Sequence, residues 1–173
     1  METNRDYQEY LKCLGFEESL LVVPTQKLSS PQISKANPIE SKTKLIFLGE
    51  DLFENEARQL LDKMISAMKL STDAVLLVDP KSGDFEKKLA DENPLVVVSL
   101  GDLALKTALK NDANISSLRG QIQVSENLKR RDASCVKLMP TYHPSYLLMN
   151  PEAKREAWAD LQTVMKIIEE SKS

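Results

Sequence analysis

Glu50 and His143 are the side chains best suited to carry chemistry in this chain. Glu50 follows the apolar run Lys44-Leu-Ile-Phe-Leu-Gly49, and His143, the sole histidine, stands within Pro140-Thr-Tyr-His-Pro-Ser-Tyr-Leu-Leu148. A carboxylate can orient a water molecule, and an imidazole can donate a proton or hold a phosphate, provided both are tightly positioned. Each also has a plainer reading: Glu50 as a solvated acid at a strand end, and His143 as a cap on the turn that Pro144 and Ser145 lead into a short helix. Arg119-Gly120 is either a ligand-facing cation or only a turn with an exposed cation. The cluster Lys129-Arg130-Arg131 is either a phosphate contact or a solvated loop. Two cysteines, Cys13 and Cys135, fall short of the four thiolates that a four-cysteine zinc site or an iron–sulfur cluster needs. Each reads as a small buried hydrophobe, and no disulfide, metal or cofactor is expected.

The bulk composition bounds the partners. With 173 residues and 42% hydrophobic content, the chain suits one soluble domain with a real core. Its net charge is −3 and its pI about 5.4. Proteins that live on duplex DNA through phosphate contacts are usually basic over at least one face, so DNA is a weak expectation. The polar, acid-bearing start METNRDYQEY has no basic or apolar leader region, and no run approaches a membrane span. The expected location is the cytoplasm, with no membrane partner.

The elements that must position these residues alternate in type. Residues 1–24 read as an N-terminal helical segment, in which Tyr7, Tyr10, Leu11 and Leu14 share one helical face over 4–15. Residues 25–43, polar and proline-bearing, read as a linker. The domain proper spans 44–173. Strands are expected near 44–49, 74–78, 95–100 and 134–139. Amphipathic helices are expected over 54–69 and 84–91, from Asp102 onward, and over about 152–170, where Trp158 belongs to the apolar stripe. Such alternation predicts a three-layer α/β sandwich around a central, mostly parallel, four-stranded sheet. Glu50, Asp79, Gly101 and His143 each follow a predicted strand, so they can converge on one crevice at the carboxyl ends of the sheet.

Three stretches stand out together: Pro94-Leu-Val-Val-Val-Ser-Leu-Gly101 with Ala104 and Ile115-Ser-Ser-Leu-Arg-Gly120, then Pro140 to Leu148, then Lys154 to Leu161 with Trp158 and Asp160-Leu161. In this order they resemble the uracil-DNA glycosylase superfamily, nearest its family 4 type. The resemblance implies base excision, with Glu50 orienting water and His143 contacting the base or a phosphate. It also implies a nucleic-acid surface on His143, Ser145, Arg119, Lys129, Arg130 and Arg131. The first half departs from the family. The loop after Leu48-Gly49-Glu50 passes through Asp51-Leu-Phe-Glu-Asn-Glu56 straight into a helix, without the family's Gly-Glu-x-Pro-Gly turn and its base-stacking phenylalanine segment. Val75-Leu-Leu-Val-Asp79 lacks the base-reading asparagine, and the family 4 cluster cysteines are missing. A glycosylase must flip, stack and hydrogen-bond its base, so these losses remove most of the pocket.

Residues 4–24 and 44–80 resemble a second family, the psi subunits of bacterial DNA polymerase III clamp-loader assemblies. These carry a glycosylase-like fold without glycosylase activity. That similarity implies a clamp-loader or other replication or repair partner, docked through Tyr7, Tyr10, Leu11 and Leu14; tyrosine suits such a face. The alternative for this helix is packing back on the domain. Three functions follow. The first is a non-catalytic partner-binding subunit with no catalytic residue. The second is a divergent active glycosylase using Glu50 and His143. The third is a nucleotide- or nucleic-acid-binding domain without chemistry.

Overall fold

β-Branched and leucine-rich runs of four or five residues can be buried on both faces only as inner strands of a parallel sheet. The computed structural model, which describes residues 44–52, 55–130 and 134–171, places them so. Strand β1 (Leu45–Leu48) is followed by helix α1 (Glu56–Ala67), β2 (Val75–Val78), α2 (Phe85–Glu92), β3 (Val96–Leu100) and α3 (Gly101–Leu109). Then come the short α4 (Ile115–Leu118), β4 (Gln123–Lys129), β5 (Cys135–Thr141), α5 (Pro144–Met149) and α6 (Lys154–Glu170). The strand order is β2-β1-β3-β5-β4. The first four run parallel, in register Leu45↔Val75, Leu45↔Val96 and Val96↔Lys137, and β4 pairs antiparallel with β5.

Side chains alternate across the sheet to build two cores. Phe47, Val96, Val98 and Leu100 face α1, α5 and α6, meeting Leu61, Met64, Leu147, Trp158 and Leu161. Ile46, Leu48, Val97 and Leu138 face α2, α3 and α4, meeting Phe85, Leu89, Leu105 and Ile115. The three-layer α/β sandwich is therefore as expected, with five strands where four were predicted. The missed strand, β4, is an edge strand of sequence QVSENLK. It buries only Leu128 and leaves Val124 exposed, so it carries no apolar run to read. Strand β5 also extends through Pro140-Thr141, beyond the predicted 139. Cys135, expected to be buried, opens β5 and is exposed. No helix among the described residues is long and apolar enough to cross a membrane. The segment 1–24 with Tyr7, Tyr10, Leu11, Cys13 and Leu14, and the linker 25–43, lie outside the described residues, as does Arg131.

Candidate functional site

In an open parallel sheet, a crevice forms at the carboxyl ends of the strands where the strand order reverses. Here the chain steps from β1 outward to β2 and then to β3 on the other side, so the reversal lies between β1 and β3. Gly49 to Leu52, Gly101 and His143 border that point, whereas Asp79, also expected there, follows the outer strand β2. What they build is a closely packed junction. Leu52 is fully buried in the core that α1, α5 and α6 share, and a Cβ on Gly49 would lie 2.9 Å from Leu52 Cδ1 and 3.1 Å from Leu100 Cβ. The leucine thus packs against the ends of β1 and β3 from that side. Asp51, with φ of 51°, turns the chain so that it can do so.

His143 straps the same junction from the β5 side. Its Nε2 lies 2.8 Å from the Glu50 carbonyl oxygen, and its Nδ1 accepts from the Ser145 N–H at 3.1 Å. With Nδ1 accepting, the proton sits on Nε2, which donates to Glu50. Both ring nitrogens are therefore spent on backbone. The imidazole packs close over Gly101, whose φ is 83° and whose added Cβ would come 3.2 Å from His143 Cβ. The Glu50 carboxylate points away to Lys81 Nζ at 2.8 Å. Its hydrogen bond and its charge raise the Lys81 pKa, with smaller contributions from Asp51 and Asp79.

A second cluster forms beside β5. Asp160, 3% exposed, accepts from Thr141 Oγ1 at 2.7 Å and pairs with Arg119 Nη2 at 3.3 Å. Arg119 also reaches Glu156 at 3.2 Å and covers the Tyr142 ring at 5.0 Å. Tyr142 in turn stacks on Tyr146, with centroids 4.8 Å apart. Arg119, read either as a ligand-facing cation or as an exposed cation at a turn, is half-buried, and its ion cluster joins α4 to α6. Burial raises the Asp160 pKa against the opposing pull of Thr141 and Arg119. A carboxyl whose folded pKa lies above its unfolded value contributes most stability below the unfolded pKa and loses it as pH rises through the folded one. Wild type is therefore expected to lose stability relative to Asp160→Asn as pH rises from the ordinary aspartate range upward. Urea titrations of both proteins at a series of pH values measure this. A difference that is flat, or of opposite slope, would refute it.

The remaining predicted contacts scatter. Arg130 donates through Nε to Asn93 Oδ1 at 3.1 Å and through Nη2 to the Asn93 carbonyl at 3.4 Å, closing the end of α2. Lys129 and Ser145 are exposed. Glu50, Ser145 and His143 are brought together; Arg119 belongs to the cluster at α6, and Lys129 and Arg130 belong to the edge strand. Sequence reasoning missed Leu52 in the junction and Asp160 as the hub. The signal for Asp160 was available: it is an acid inside the buried stripe Ala157, Trp158, Leu161 and Val164. Away from the strand ends, a cavity of about 250 Å³ lined by Met68, Leu70, Met165 and Ile168 lies where α1 and α6 finish.

Compared with known proteins, residues 36–162, well over half of the chain, match the model of the Uracil DNA glycosylase superfamily. No curated protein matches the chain.

Proposed function

Because this chain belongs to the uracil-DNA glycosylase superfamily, we propose that it keeps the fold without the chemistry, as a non-catalytic, partner-binding subunit of the replication or repair machinery in the cytoplasm. The observation that carries this reading is the closely packed strand-end junction. Leu52, buried in the core under α1 and α5, packs against Gly49 and Leu100 beside the place where a parallel sheet receives its ligand. His143 and Glu50, the pair that the resemblance would charge with catalysis, are committed to the Glu50 carbonyl, the Ser145 N–H and Lys81. A flipped base needs a cavity and free hydrogen-bonding edges, and a general acid or base must reach its target.

The test is an excision assay on uracil-containing single- and double-stranded DNA, with alkaline cleavage of abasic product. No product above the no-enzyme control is expected. Turnover that disappears in both Glu50→Ala and His143→Ala would replace this reading with that of a divergent glycosylase, which the Thr141-Tyr-His-Pro-Ser145 motif favours. The psi-like resemblance of residues 4–24 supports a clamp-loader-type partner bound through Tyr7, Tyr10, Leu11 and Leu14. Deleting residues 1–24 is then expected to abolish co-purification with that partner and leave the melting temperature nearly unchanged. A fall of ten degrees or so, roughly 2.5–5 kcal/mol for a chain of this size, would make the segment part of the core instead.

A further inference from the structure

We propose that the carboxyl-end face of the sheet, centred on α5, docks a basic amphipathic helix of a protein partner; this deepens the non-catalytic reading and rests on it. Among the described residues, the large apolar side chains that reach solvent concentrate at this end. Tyr146 is 46% exposed, Leu148 39% and Met149 83% on α5, and Leu103, 37% exposed, stands in the first turn of α3. Both helices begin where parallel strands finish, and His143 joins them by capping α5 while packing over Gly101 at the start of α3. Methionine and tyrosine are the side chains that interfaces favour.

The centre of the patch is held in place before anything binds. Tyr146 stacks on Tyr142, Tyr142 lies under the Arg119 guanidinium, and Arg119 is fixed by Glu156 and Asp160. An aromatic ring already locked in one position loses little freedom on binding.

Charge selects the occupant. The His143 bond to the Glu50 carbonyl sets α5 beside the Glu50–Asp51 loop, and Asp102 follows Gly101 directly. Glu50, Asp51, Asp79 and Asp102 surround the strand ends, with Lys81 paired to Glu50 among them. Arg58 beside Leu52 is paired with Asp62, and Arg119 with Glu156 and Asp160, so these four carboxylates against Lys81 leave an acidic excess that repels a phosphate backbone and attracts lysine and arginine. A helix with apolar anchors at i, i+3 and i+4 and basic flanks matches an apolar centre with an acidic rim.

The test uses the full chain and three labelled probes. One is a peptide with leucines at i, i+3 and i+4 and lysines elsewhere, the second is the same peptide with glutamates for lysines, and the third is a single-stranded oligonucleotide. Fluorescence anisotropy is expected to show binding of the lysine peptide alone. The Tyr146→Ser/Met149→Ser double variant should weaken it by about tenfold or more. Asp51→Asn should flatten its salt dependence, since asparagine tolerates the positive φ and only the charge is lost. Equal binding of the glutamate peptide, preference for the oligonucleotide, or undiminished binding by the double variant would overturn the proposal. Those outcomes leave the excision assay untouched, whereas uracil excision would sink the non-catalytic reading whatever the peptides do.

Discussion

Trp158→Ala is expected to destabilise the protein by about 3–5 kcal/mol, lowering the melting temperature by roughly 6–20 °C. Trp158 is 4% exposed and belongs to the core that α6 shares with Phe47, Leu100, Met139 and Leu147. Ala157 beside it and Ala153, which caps α6, are too small to fill the space an indole leaves. The cavity would therefore persist, and large-to-small substitutions cost most where the site cannot relax. Loosening α6 at Trp158 would also slacken Asp160 and Glu156, which hold Arg119. Thermal and urea denaturation measure the loss. A change below about 1 kcal/mol, the range of ordinary surface substitutions and somewhat beyond, would show that this tryptophan does not hold α6 to the sheet.

Gly120→Val is expected to cost about 3 kcal/mol through two separable effects. Gly120 has φ of 73°, a left-handed conformation worth roughly 1–2 kcal/mol to any residue with a Cβ and worst for a branched one. An added Cβ would also lie 2.9 Å from Asp160 Oδ1. The buried carboxylate would have to move off Thr141 and Arg119, forfeiting charge-assisted bonds worth about 1–3 kcal/mol before discounting for the part-exposed arginine. A double-mutant cycle separates the two. In an Asp160→Ala background the steric part should vanish and only the backbone part remain. Full additivity of the two substitutions would mean that Gly120 and Asp160 do not meet.

Short apolar runs made most of this architecture legible. Leu45–Leu48 and Val96–Leu100 are buried along their whole length, and only an inner parallel strand does that to consecutive residues. The helical stripes of α1 and α6 were equally plain. Strand β4 was hidden because an edge strand needs only one buried side, and its register shifts between Val124 and Lys129, so no alternation survives to be read. Part of the strand-end cluster was legible, and its packing was not. Glu50, Gly101 and His143 do converge, but how closely the strand ends pack depends on where one leucine falls after a single positive-φ residue. Arg119 and Asp160 lie 41 residues apart, and no local periodicity connects them. Arg130, read with its basic neighbours, serves the carbonyl end of α2, where it bonds the side chain and carbonyl of Asn93.

The position of β1 has a consequence for how the protein is made. This strand lies between β2 and β3, and both of its partners are encoded after it. Leu45, Ile46, Phe47 and Leu48, all fully buried in the finished sheet, leave the ribosome with neither hydrogen-bonding edge satisfied. Protection on the second edge must wait until Leu100 has been synthesised, roughly 3–10 s later at ordinary elongation speeds. Throughout that interval a sticky four-residue strand is open to trigger-type chaperones or to a neighbouring nascent chain. Expression yield should therefore respond to translation speed across codons 49–100 more than to the speed downstream of them.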